Sequence, residues 1–191
     1  MTLWPFKREQ LITVGEALEI AEDKTWNYYK LSAGQWNRHR YDVKTLTHLE
    51  PAQIVPDAFA FLDKGIGTSG DIGPARAKRE YYFICLQDHH ILEALNRDAD
   101  VELLPLLVYV FTHELTHIVR FSSFLQRFET SGKDREKEEQ IVHGITHDIL
   151  RKLTLPRLNY VLDSYRCHRS CDSVCSVDHN GNCEVNDHAD L

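Results

Sequence analysis

Apolar residues recur at helical spacing through the second half of the chain. The spacing predicts one long helix from about Val101 to Phe128 and another over Arg135–Leu153, separated by a polar break at Ser131–Asp134. The first of these helices is apolar on nearly every side around Val110–Val119, so we expect it to be buried. The second is apolar along one face only, made of Ile141, Val142, Ile145, Ile149 and Leu153.

Shorter elements are predicted on either side of these helices. Val14–Glu22 is typical of a short amphipathic helix, and a further helix is expected to begin near Pro156. Asp57–Asp63 and Glu80–Gln87 have the composition or alternation of strands, and the second is the stronger because it is aromatic and β-branched. A short helix is expected to begin at Asp88. The pattern predicts an α+β fold, mainly helical with a small sheet.

The glycine-rich segment Lys64–Pro74 is predicted to be a surface loop. Gly65, Gly67 and Gly70 have the spacing G-x-G-x-x-G, but no helix opens directly from them, as a dinucleotide site requires. We therefore do not expect a nucleotide cofactor.

The composition is that of a globular protein: 42% of the 191 residues are hydrophobic and 27% are charged. The net charge of −7 does not favour nucleic acid or an anionic membrane surface as a partner. No apolar run is long enough to span a bilayer, and the first residues lack the pattern of a secretory signal, so we expect a cytoplasmic protein.

The chemistry of the chain is concentrated in the stretch VFTHELTHIV, Val110–Val119. His113 and His117 are four residues apart, so both imidazoles lie on one helix face and can reach one Zn²⁺. Glu114 flanks that face, where it can accept a proton from a metal-activated water. The alternative is a pair of hydrogen-bonded core histidines, with Glu114 paired to an arginine.

This stretch resembles the active-site helix of the zincin metallopeptidases, including its uncharged flanking positions. The resemblance implies a zinc peptidase with one zinc ion, Glu114 as general base, a peptide or protein substrate, and a small sheet whose edge strand holds that substrate. Glu80–Gln87 precedes the helix and is our choice for that strand. On this interpretation residues 1–166 form a zincin-like metal-binding domain, followed by a C-terminal tail over residues 167–191.

The third zinc ligand is expected on the next helix. The metzincin continuation is absent after His117, whereas the gluzincins, which this chain resembles more, use a glutamate from the following helix. Three glutamates are available. Glu138 continues the apolar face of that helix and is our first choice, Glu139 at the edge of the face is the second, and Glu136 points away.

The residue four positions after the third ligand departs from the gluzincin pattern, which has an acid there. The position holds Val142 if Glu138 is the ligand and His143 if Glu139 is the ligand. With Glu139 as ligand, His143 could orient the site or donate a hydrogen bond to the transition state. Tyr160 and His89 are further candidates for that donor.

Two other interpretations remain open. A redox metal such as iron could be held between the two helices by His113, His117, Glu139 and His143. Cys85 is expected to be a buried small hydrophobe. The other four of the five cysteines lie in the tail: Cys167, Cys171, Cys175 and Cys183. Their spacing is equally compatible with a second metal, reversible disulfides or unused thiols. The sequence therefore predicts a zinc-dependent metallohydrolase, with a non-catalytic metal-binding or redox-sensing protein as the alternative.

Overall fold

The computed structural model describes residues 3–36, 39–67, 79–123 and 133–165. It confirms the mainly helical α+β architecture. Two single 3₁₀ turns lie at Leu46–His48 and Pro51–Gln53. The helices and strands are α1 (Arg8–Tyr29), α2 (Ala33–Trp36), β1 (Tyr41–Lys44), β2 (Ala60–Gly67), β3 (Arg79–Leu86), α3 (Asp88–Arg97), α4 (Leu103–Ser122), α5 (Lys133–Leu150) and α6 (Leu158–Ser164).

Helix α4 is the central element of the core. Every residue from Pro105 to Val119 is buried, as the apolar pattern predicts, and α1, α5 and α6 all pack against it. Pro105 is accommodated because it lies in the first turn, where its missing N–H has no partner within the helix. Among the described residues, no helix is both long enough and apolar enough to cross a membrane.

Within the part of the chain that the structure describes, the sheet has three strands in the order β1-β3-β2. Strand β1 runs parallel to β3, and β2 runs antiparallel to it. We expected Glu80–Gln87 to be the edge strand that holds a substrate. That prediction is wrong, because this segment forms β3, the central strand. Ile84 of β3 pairs with Val43 of β1 on one side and with Leu62 of β2 on the other.

The glycine-rich segment begins as a strand and not as a loop. Strand β2 continues to Gly67, so the predicted loop is wrong for residues 64–67, and the rest of that segment lies outside the described residues. Gly65 is paired with Tyr81, and a Cβ atom added to it would lie 2.8 Å from Cε2 of Phe83. The glycine is thus needed for the close approach of a neighbouring ring, not for binding a phosphate.

A buried carboxylate at the start of α3 binds the N-terminal segment and the turn after β1. Asp88 is fully buried and accepts hydrogen bonds from the backbone N–H groups of Phe6, at 2.9 Å, and of Leu46, at 3.0 Å. Burial raises the pKa of Asp88, although these backbone hydrogen bonds oppose the shift. The residue holds the N-terminal segment and the turn after β1 against the sheet.

Candidate metal centre

His113 and His117 lie one above the other on α4, as their spacing predicts. Their Nε2 atoms are 3.1 Å apart, and the two rings meet edge to face with centroids 4.8 Å apart. The exposed fractions are only 2% for His113 and 6% for His117. Two buried ring nitrogens that face the same point are an expensive arrangement unless a third group satisfies both.

Glu139 of α5 is that third group. Its Oε2 atom lies 3.3 Å from Nε2 of His113 and 3.4 Å from Nε2 of His117. Burial raises the pKa of the Glu139 carboxyl, but hydrogen bonds from the two histidines outweigh it and hold the pKa well below its usual range. Glu139 is therefore a carboxylate at neutral pH, which is the form that binds metal ions.

The structure brings Glu139, not our first choice Glu138, to the histidine pair. Glu138 is buried, as its place on the apolar face predicts, but its partner is the guanidinium of Arg120. Nη2 of Arg120 lies 3.0 Å from Oε2 of Glu138, and Nε of Arg120 donates to Oε1. The requirement that a buried acid have a partner was sound. It is met by an arginine on α4, which sequence reasoning did not consider.

The three donor atoms fit the dimensions of a zinc site. Ligand atoms bound about 2.0–2.2 Å from zinc in tetrahedral geometry lie about 3.3 Å from one another. The observed separations among the donors of His113, His117 and Glu139 are 3.1, 3.3 and 3.4 Å. They form a triangle of the size of one tetrahedral face. Two imidazoles and one carboxylate are also a ligand set used by catalytic zinc enzymes, which keep the fourth position for water or substrate.

His143 and Tyr109 flank this triangle. His143 is buried on α5, one turn after Glu139, and its ring centroid lies 4.6 Å from that of His113. Donor atoms of His113, Glu139 and His143 all lie within 4.8 Å of one another. The hydroxyl of Tyr109 lies 2.7 Å from Nδ1 of His143. Sequence reasoning missed Tyr109, although its position one turn before His113 on the same helix was an available signal.

Glu114 is buried on α4. Its exposed fraction is 7%. Burial, followed by the charges of Asp63 and Glu114, raises the pKa of the Cys85 thiol on β3 to about 12, with the Lys44 charge opposing. Glu114 is thus near enough to the central strand for its charge to act there. Cys85 is a fully buried thiol, as the sequence predicts.

The other sequence-selected residues occupy different surroundings. Tyr160 donates a hydrogen bond of 2.7 Å to Asp98, and the His89 ring packs on that of His90. Glu136 is exposed and His147 is half-buried, both on α5. The four cysteines of the tail lie outside the described residues, namely Cys167, Cys171, Cys175 and Cys183.

Comparisons with known proteins do not identify a function for this chain, so the functional assignment rests on the chemistry of the site. No family model matches this chain, and no match is found among curated proteins or among solved structures.

Proposed function

We propose that this protein is a zinc-dependent hydrolase in which His113, His117 and Glu139 bind one zinc ion. The proposal rests on the convergence of three donor atoms from two helices, two on buried histidines and one on a half-buried glutamate, at the separations of a tetrahedral zinc face. Glu139 takes the place that sequence reasoning gave first to Glu138. The zincin-like character of the fold belongs to the same proposal.

The zinc ion supplies two effects when bound: it lowers the pKa of a water molecule and polarises the carbonyl of a substrate. The protein supplies the rest of the site. The Glu139 carboxylate lowers the cost of holding a cation in a buried place. The imidazoles of His113 and His117 are pointed at the same spot by the helix that carries them, so little ordering is needed when the ion binds.

Glu114 is the general base in this proposal. It follows His113 directly on α4 and is buried, and in this role it accepts the proton of the attacking water and passes it to the leaving group.

A peptide is the substrate that the sheet favours. Strand β2 is an outer strand of the described sheet, with β3 on one side only, and α4 packs against it. An extended peptide can pair with such a strand edge and gain main-chain hydrogen bonds that do not depend on its sequence. We therefore replace β3, the central strand, with β2 as the proposed substrate strand.

His143 is the proposed donor to the negative charge that develops on the carbonyl oxygen. If the Tyr109 hydroxyl donates to Nδ1 of His143, the imidazole carries its proton on Nε2 and can donate from there. Preorganised donors of this kind stabilise the transition state more than the ground state.

Cleavage of a peptide library by the zinc-loaded protein tests the proposal. Glu114→Gln should keep zinc and lower the cleavage rate by about 10²- to 10⁴-fold, the usual contribution of a general base. Glu136→Gln is the matched control, because Glu136 is exposed on α5 and should leave the rate unchanged. A library left intact by the wild type, or equal rates for wild type and Glu114→Gln, refutes the peptidase.

A second candidate is a non-catalytic or redox metal protein. The observation in its favour is that His143 gathers with His113 and Glu139, which would give four protein ligands if His143 also coordinates. A site closed by four ligands has no position for a substrate. Iron in the purified protein, with redox-dependent absorption and no hydrolysis, would favour this candidate over the first.

A further inference from the structure

We infer that the ion pair between Arg120 and Glu138 is a positioning device that presents Glu139 to the two histidines and thereby sets the affinity for the metal. The inference rests on the proposed metal site and adds two residues that do not touch the metal. It assigns a role to the glutamate that sequence reasoning had selected as a ligand.

The pair joins the two helices at the level of the site. Arg120 lies in the last turn of α4, three residues after His117, and Glu138 directly precedes Glu139 on α5. Both nitrogen contacts of the guanidinium go to the two carboxylate oxygens of Glu138. A two-point contact of this kind fixes orientation as well as distance, which a single hydrogen bond does not.

Because of the helical geometry of α5, the ion pair determines which of the two glutamates faces the histidines. Neighbouring residues of an α-helix point about 100° apart, so Glu138 and Glu139 cannot face the same group. While Glu138 is held by Arg120, the helix presents Glu139 to His113 and His117. A rotation of α5 that brought Glu138 to the histidines would break the ion pair and remove Glu139. The guanidinium therefore selects which of two adjacent carboxylates becomes the ligand.

The ion pair is largely shielded from water, so the energetic cost of breaking it is high. The exposed fractions of the side chains are 13% for Arg120 and 11% for Glu138. On α1, burial raises the pKa of Tyr29 to about 12, while the Arg120 charge lowers it and the Glu138 charge adds to the rise. Separating the two charges in such a place would leave each without a partner, which costs far more than at a surface.

Measuring zinc affinity distinguishes a positioning role of the Arg120–Glu138 pair from a merely structural one. A buried ion pair often contributes little net stability, since desolvation offsets the attraction. Replacing both members by apolar residues of similar size, as in the double variant Arg120→Met/Glu138→Leu, is therefore compatible with an intact fold. If the pair positions Glu139, this double variant still loses affinity for zinc.

The experiment measures zinc affinity by competition with a chromophoric chelator, on the wild type, Arg120→Met, Glu138→Gln and the double variant. We expect zinc binding to weaken by about 10- to 100-fold in each, the range found when groups that orient metal ligands are removed. The double variant should be no worse than the single ones, because all three break the same contact. With Co²⁺ in place of zinc, the visible absorption of the bound ion should change in the variants.

The matched control is Arg151→Met. Arg151 also pairs with an acid of α5, Asp148 at 3.3 Å, but the side chains are 55% and 50% exposed. It should leave zinc affinity and the Co²⁺ spectrum unchanged. Arg120→Lys keeps the charge and loses the two-point contact, so it should weaken zinc binding to an intermediate degree. This variant replaces the others in the test if they do not fold.

Failure of the proposed function and failure of the positioning role give different results. If the wild type binds neither zinc nor Co²⁺, the proposed function fails and the positioning role falls with it. If the wild type binds zinc and the folded double variant or Arg120→Lys binds it equally well, only the positioning role is overturned.

Discussion

Oε2 of Glu139 lies 3.4 Å from Nε2 of His117 and 3.3 Å from Nε2 of His113, so a single oxygen joins α5 to two successive turns of α4. The contact places a half-buried carboxylate and two buried imidazoles where their charges and lone pairs face one point. A divalent cation at this point would accept electron pairs from all three groups.

Removing the Glu139 carboxylate should weaken zinc binding more than any change at a residue that does not touch the metal. In Glu139→Gln the shape is kept and the negative charge is lost, so we expect a loss of more than about 100-fold, beyond the range for orienting groups. Chelator competition measures it, with Glu136→Gln as the control on the same helix. Equal zinc affinity in the Glu139→Gln and Glu136→Gln variants would contradict the ligand assignment.

Removing the Tyr109 hydroxyl should lower turnover without removing the metal. Tyr109→Phe leaves Nδ1 of His143 without this partner, so the tautomer that donates from Nε2 is no longer favoured. We expect kcat to fall by about 10- to 100-fold, as for other groups that orient a site residue, with KM and zinc content unchanged. The control is Tyr160→Phe, since Tyr160 bonds to Asp98 on the surface. An unchanged kcat in Tyr109→Phe would exclude His143 as an oriented donor.

The Cys85 thiol should resist alkylation in the native protein. It is fully buried, and its pKa is raised from 9.0 to about 12, so almost no thiolate is present at pH 8. Mass mapping after iodoacetamide treatment should find Cys85 labelled only when the chain is unfolded in urea. Rapid labelling of Cys85 in the folded chain would show that this part of the sheet opens easily.

The same thiol should make stability fall at alkaline pH. The unfolded thiol ionises near pH 9 and the folded one near pH 12, so the unfolded chain binds fewer protons between these values. The free energy of unfolding therefore decreases as pH rises through that window. The stability advantage of the wild type over Cys85→Ala, measured by urea unfolding, should shrink between pH 8 and pH 10. A constant difference would contradict the raised pKa.

Asp88→Ala should be strongly destabilising, because two buried backbone N–H groups lose their acceptor. At about 1–3 kcal/mol for each of the two unsatisfied groups, we expect a loss of about 2–6 kcal/mol in the free energy of unfolding. Asp148→Ala, which removes an exposed ion pair, is the control and should cost at most about 1 kcal/mol. Similar urea midpoints for the two variants would show that Asp88 does not hold the N-terminal segment.

The sequence was sufficient to predict α4, because burial of a helix on all sides leaves a continuous apolar pattern. It was also sufficient to place His113 and His117 together, since their spacing alone determines their common face. Strand β1 was missed: its four residues, Tyr41–Lys44, are too few to show alternation, and they are a strand only because β3 pairs with them.

The choice between Glu138 and Glu139 was beyond sequence reasoning for a different reason. Helical phase correctly predicted that Glu138 is buried, but burial does not identify a partner. The partner, Arg120, comes from a different helix, and only the packing of α4 on α5 brings it there. The partnership of Tyr109 with His143 depends on that same packing.

The most direct measurement is the metal content of the purified protein by elemental analysis, in the wild type and in Glu139→Ala. Because the tail cysteines provide an independent prediction of a second metal, both chains should also carry serine at Cys167, Cys171, Cys175 and Cys183. We expect one zinc per chain in the Glu139-containing protein and little or none after Glu139→Ala and dialysis against a chelator. A protein that contains no transition metal and takes up none, or a Glu139→Ala variant that retains a full equivalent of zinc, would contradict this expectation.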